Sequence, residues 1–126
     1  MDEAKYRESR VCRLLGNPVV YQLVLFLDNG GPLTPSQLAK HAGRSVQTVS
    51  GHLAKLRAAD LVRYNTDGKQ VRYWLKHKRE TGRLLRALEA VVRSASKLPP
   101  VGFGRTPQAA AATERRLSSP HRLDSF

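Results

Sequence analysis

The chain has 126 residues, 40% apolar and 25% charged, which suits one domain of ordinary size and is too apolar for disorder throughout. Its 22 Lys and Arg against 10 Asp and Glu give a net charge of +12, pointing to a polyanionic partner, nucleic acid before an anionic membrane. The single cysteine rules out an internal disulfide framework, the start Met1-Asp2-Glu3-Ala4-Lys5 is no signal segment, and the longest apolar stretch, Val19 to Leu27, is too short to span a bilayer. A membrane protein, a secreted mini-protein and a large catalytic domain are thereby disfavoured, and a cytoplasmic protein is expected.

A first helix is expected over about Glu3 to Leu15, stopped by Gly16. Asn17-Pro18 then supplies a capping side chain and a first-turn proline for a second helix running to about Asp28. Val19, Val20, Leu23, Val24 and Leu27 recur at helical spacing. Tyr21, Leu25 and Phe26 make this helix apolar nearly all round, as a central core helix should be. Thr34-Pro35-Ser36-Gln37 is a capping box with proline in the first turn, flanked by Leu33 and Leu38 at the positions of a hydrophobic staple. Gly43 closes this third helix and Ser45 caps a fourth, about Val46 to Ala59. Two helices joined by so short a turn fit a helix-turn-helix.

The fourth helix separates into faces at about 100° per residue. Val46, Val49, Leu53 and Leu56 form a stripe expected to meet the core, with Gln47, Thr48, Gly51 and Lys55 opposite and Ser50 and His52 on the flanks. Small hydrogen-bonding side chains on an outward face suit the major groove, where base edges present donor and acceptor patterns. Gln47, Thr48 and Ser50 are the candidate base readers, with His52 beside them. Arg44, Ser45 and Lys55 complete the candidate DNA-binding set on this element, the two cations on phosphates.

Beyond it the period turns to alternation. Leu61 to Asn65 and Gln70 to Leu75 read as strands around Thr66-Asp67-Gly68-Lys69, a hairpin whose Val62, Tyr64, Val71 and Tyr73 would form an apolar side. Lys69 and Arg72 on this hairpin are further candidate DNA contacts, with Arg63 adding positive charge. A last helix, about Lys78 to Lys97, carries Leu84, Leu85, Leu88, Val91, Val92 and Ala95 on one face. The whole is mainly α with a small β-hairpin, in the order of a winged helix-turn-helix. The aliphatic face of the last helix is read as a dimer interface rather than core closure. Tyr6, Val11, Leu14 and Leu15 of the first helix join Leu84, Leu88, Val91 and Val92 as candidate dimerisation residues. Composition shifts near Leu98-Pro99-Pro100. Residues 1–97 are therefore expected to form the DNA-binding and dimerisation domain, and 98–126 a disordered tail with a short helix around Ala109–Leu117.

The segments Leu14-Leu15-Gly16-Asn17-Pro18, Thr48-Val49-Ser50-Gly51-His52-Leu53, Leu56-Arg57-Ala58-Ala59-Asp60-Leu61-Val62 and Asp67-Gly68-Lys69 resemble the ArsR/SmtB family of bacterial repressors over about residues 10–95. The resemblance implies a homodimer that binds double-stranded DNA at an inverted repeat and represses transcription until an inducer relieves it. It places DNA contacts at Gln47, Thr48 and Ser50 and on wing residues such as Lys69 and Arg72.

The chain also departs from the family pattern. The Cys-x-Cys metalloid motif would fall near Leu33 to Ser36, where no ligand stands, and His77 stands alone before a last helix with only Glu80 and Glu89 as carboxylates. Neither usual metal site can be assembled, no cofactor is implied, and the inducer stays unassigned. Asp60 occupies a place where glycine is common, which bears on the local turn. Cys12, between Arg10 and Arg13, is the one soft ligand and the candidate sensor, against the blander reading of a packing residue. No nucleophile–base pair or carboxylate dyad suggests catalysis. The competing readings are a protein-interaction module, which should show an apolar patch on the recognition face, and a sequence-blind nucleoid protein.

Overall fold

The computed structural model describes residues 2–97; the expected tail and its short helix lie outside them. The elements are α1 (Glu3–Leu15), α2 (Pro18–Gly30), α3 (Pro35–Ala42), α4 (Val46–Ala58), β1 (Val62–Asp67), β2 (Gln70–Leu75) and α5 (Lys78–Lys97). Two compact units divide the chain, Met1–Leu85 and Arg86–Phe126, with the boundary inside α5.

Local capping chemistry sets the helix starts. Asn17 accepts from the amides of Val19 and Val20 at the start of α2. Thr34 and Gln37 exchange both bonds of the capping box on α3, at 3.1 and 2.9 Å. Gly43 ends α3 at φ +66°, a left-handed conformation that costs glycine little, and so the chain turns directly into α4.

Within the first unit, the core forms around α2. Val20, Leu23, Val24 and Leu27 are buried with Leu38 and Ala39 of α3, Val49, Leu53 and Leu56 of α4, Val62, Leu75, and Leu85 of α5. Tyr21, Leu25 and Phe26 pack half-buried against it. Val46 departs from the expected stripe: it is 46% exposed. Its angle on the wheel is right, but it is the first residue of α4, and angular position does not set depth at a helix end.

The hairpin is longer than the alternation suggested, because Thr66 and Asp67 extend β1. Asp67 pairs with Gln70, so the two-residue turn is Gly68-Lys69. Gly68 has φ +63° and Lys69 does not share the positive φ, the pattern of a type II′ turn. Leu33 exchanges both backbone bonds with Tyr73, at 2.9 and 2.8 Å, and fastens β2 to the segment before α3. The expected apolar side is uneven. Val62 is buried, Val71 and Tyr73 are half-buried, and Tyr64 is 45% exposed, because β2 is the strand fastened to the segment before α3 whereas β1 is buried only at Val62. No single helix among the described residues is long and apolar enough to cross a membrane.

Candidate nucleic-acid interface

Helices α3 and α4, with Gly43, Arg44 and Ser45 between them, present the outward face of α4. Gln47, Thr48, Ser50, Gly51 and Lys55 are all exposed, as are Arg44 and Ser45, and no carboxylate lies on the helix. Ser45 is occupied structurally: its Oγ accepts from the Thr48 amide at 3.1 Å and donates to Thr48 Oγ1 at 2.9 Å. The Thr48 hydroxyl therefore keeps its own proton to offer. Gly51 has no atom of another element within 4 Å of where a Cβ would sit among the described residues, so its lack of a side chain answers to no packing need there. It leaves an open notch in the middle of the outward face.

His52 is half-buried, unlike its neighbours. Partial burial, and then the nearby Lys55 ammonium, hold its pKa below the ordinary histidine value. At neutral pH it is an uncharged donor–acceptor. His41 is accounted for by packing, its ring 5.4 Å from that of Phe26.

On the hairpin, Lys69 sits in the turn. Arg72 lies opposite Asn65 on the face of the sheet that also carries Arg63, and its guanidinium donates to Gln70 at 3.3 Å. A link between helix and wing was missed in the sequence. Arg57, from the last turn of α4, places its guanidinium carbon 4.9 Å from the centre of the Tyr64 ring, and Tyr64 leans on Tyr73 at 5.6 Å between centroids. The candidate reading element and the candidate backbone-contacting element are thereby joined through one cation–π contact.

The reversal between α4 and β1 turns on Asp60, at φ +65°. The amide of Asp60 bonds the Arg57 carbonyl and that of Leu61 the Leu56 carbonyl, a Schellman end with aspartate where glycine is usual. Lys76 donates to both Asp60 carboxylate oxygens, at 2.7 and 2.9 Å, and His77 lies at 3.5 Å. Of the candidate dimerisation residues, Val11, Leu14 and Leu15 are half-buried, Leu15 against the core, and Tyr6, Leu84, Leu88, Val91 and Val92 are exposed by 56, 38, 37, 64 and 47%. Cys12 is an exposed free thiol. No three His, Cys, Asp or Glu among the described residues converge as a metal site would require.

A capped helix-turn-helix followed by a two-stranded hairpin, with a polar outward helix, defines a winged helix-turn-helix DNA-binding protein. Comparison with known proteins agrees. A helix-turn-helix domain family matches residues 15–65. The HTH-type transcriptional regulator CmtR of Mycobacterium bovis is 40% identical over 92 residues, covering 68% of this chain and 76% of CmtR. Among solved structures, the homodimeric winged helix-turn-helix DNA-binding domain Mb0332 of Mycobacterium bovis, a possible ArsR-family regulator, matches at TM-score 0.66 and 21% identity, over 77% of this chain and 92% of that one. The transcriptional repressor BigR of Xylella fastidiosa matches at TM-score 0.60 and 24% identity, over 72% and 96%. The chain belongs to the ArsR family of helix-turn-helix transcriptional regulators, and it is a DNA-binding regulator.

Proposed function

We propose that the protein is a homodimeric repressor acting in the cytoplasm at an inverted-repeat operator, with residues 1–97 as its DNA-binding and dimerisation unit. The observation that carries this reading is the outward face of α4: hydrogen-bonding side chains around the open notch at Gly51, Arg44 and Lys55 at its edges, and no carboxylate. Gln47, Thr48 and Ser50 read base edges, with His52 on the flank, while Arg44, Lys55, Lys69 and Arg72 hold phosphates and Ser45 sets the helix start. The dimer reading draws on the exposed aliphatic residues of α5 and on the homodimeric state of Mb0332. Two-fold symmetry presents two copies of α4 to two half-sites. The polar outward face disfavours the interaction-module reading, which asks for carbon there.

The test is a fluorescence-anisotropy titration comparing the protein's own promoter duplex with a scrambled duplex of equal length, at several salt concentrations. A specific dimer prefers its site by about 10³-fold or more. Equal affinities that fall steeply with salt would instead mark sequence-blind electrostatic binding.

A further inference from the structure

A cavity of about 390 Å³ opens on the flank of α4 opposite Arg57. Tyr6, Arg10 and Arg13 line it from α1, at the spacing of one helical stripe, with Asn17 from the start of α2 and His52 and Lys55 from α4. No carboxylate among the described residues lines it. No ion pair among the described residues engages Arg10, Arg13 or Lys55, so three cations face one space without a counter-charge. The Asn17 carbonyl oxygen is used on the amides of Val19 and Val20, leaving its Nδ2 group as a further donor, and the N-terminal end of α2 adds partial positive charge. Leu14 and Val20 supply carbon to the same walls.

We propose that this cavity binds a small organic anion, a phosphate ester or carboxylate with an apolar part, held by Arg10, Arg13 and Lys55. Because Lys55 also stands at the edge of the DNA-facing surface, the bound anion draws it away from the duplex backbone and weakens DNA binding. This consequence rests on the DNA-binding reading above; occupancy of the cavity does not.

Phenyl phosphate serves as the probe, titrated into the full chain without DNA at constant ionic strength and followed by amide NMR shifts and calorimetry. Saturable binding is expected with a Kd of about 1 mM or tighter, with shifts centred on α1, the start of α2, and α4. Arg10→Ala/Arg13→Ala should weaken it about tenfold or more, while Arg79→Ala/Arg83→Ala, which removes two exposed charges from α5, should not. Non-saturable shifts spread over the basic surface, or an equal loss in both double variants, would overturn the proposal. On the operator duplex, phenyl phosphate should lower wild-type affinity and reduce the salt slope by about one. At the same concentration the probe should affect Arg10→Ala/Arg13→Ala far less, and without it that variant should bind DNA as the wild type does. If the variant alone loses DNA affinity and salt slope, the cavity cations seat duplex phosphate and the small-anion proposal fails. If the wild type recognises no duplex, the DNA-binding reading fails while the titration without DNA still decides occupancy.

Discussion

Helix α4 turns Gln47, Thr48, Ser50, Gly51 and Lys55 outward, whereas α5 turns out Leu84, Leu88, Val91 and Val92. Both helices are amphipathic and both expose one face among the described residues, yet the two faces suit opposite partners. The α4 face keeps its polar groups satisfied by water until base edges and phosphates replace it, so exposure there carries no penalty. The α5 face is carbon; burying a fully exposed Val or Leu side chain is worth about 1.5–3 kcal/mol, and these part-exposed residues have roughly half of that still to gain. Exposure alone therefore says little about function; the chemistry of what is exposed says which kind of surface covers it.

The largest effect should come from placing charge on the aliphatic face. Leu88→Glu puts a carboxylate where the dimer would exclude water, at a position exposed enough for the isolated chain to fold unchanged. Sedimentation equilibrium should show a monomer, circular dichroism an unaltered helix content, and specific DNA affinity a fall of about 10²-fold as the two half-sites are uncoupled. A dimer that persists in this variant would remove α5 from the interface and leave the comparison with only its polar half.

Next in size are changes on the α4 face. Gln47→Ala should cost about 1–3 kcal/mol of discrimination at one base pair while leaving scrambled DNA bound as before. Lys69→Ala on the hairpin should instead weaken all duplexes alike and lower the salt slope by about one. Unchanged discrimination in Gln47→Ala would take that residue out of base readout. Gly51→Ala offers a sharper test, since its two effects should have opposite signs. With open space around the added methyl, the helix should gain about 1 kcal/mol in a denaturant melt. DNA affinity should nevertheless drop, because the notch that admits the duplex close to the backbone is filled. A gain in stability without loss of affinity would mean the notch is not used.

These surfaces were legible in the sequence to different depths. The helix starts were readable because their causes are local: Asn17, Thr34 with Gln37, and Ser45 each bond amides two or three residues away. The outward face of α4 was readable from its 3.6-residue period. Depth was not: Val46 stands in the first turn of α4 and Tyr64 on β1, a strand buried only at Val62, and both are exposed. The Arg57–Tyr64 contact and the cationic cavity were hidden for a different reason. Arg57 reaches Tyr64 only because the chain reverses at Asp60, and Arg10 meets Lys55 across the cavity only because α1, α2 and α4 pack together. Such juxtapositions are set by tertiary packing, which no spacing within one element encodes.

The reversal at Asp60 supports the smallest and most selective prediction. Its carboxylate is held below the usual carboxylate range first by hydrogen bonding from Lys76, with His77 acting in the same direction and desolvation opposing. Because the folded-state pKa is lowered, the unfolded chain binds this proton first as pH falls. The contribution is therefore fully present above the unfolded value of about 3.9 and is lost as pH drops through the folded one. Asp60→Asn keeps a residue that accepts the left-handed conformation and removes only the charge. The variant should be slightly less stable than the wild type near neutral pH, and the difference should shrink in denaturant melts taken at progressively lower pH across the acid range. An equal loss at every pH would assign Asp60 to the backbone turn alone, and the Lys76 clasp would then contribute nothing to joining the end of α4 to the start of α5.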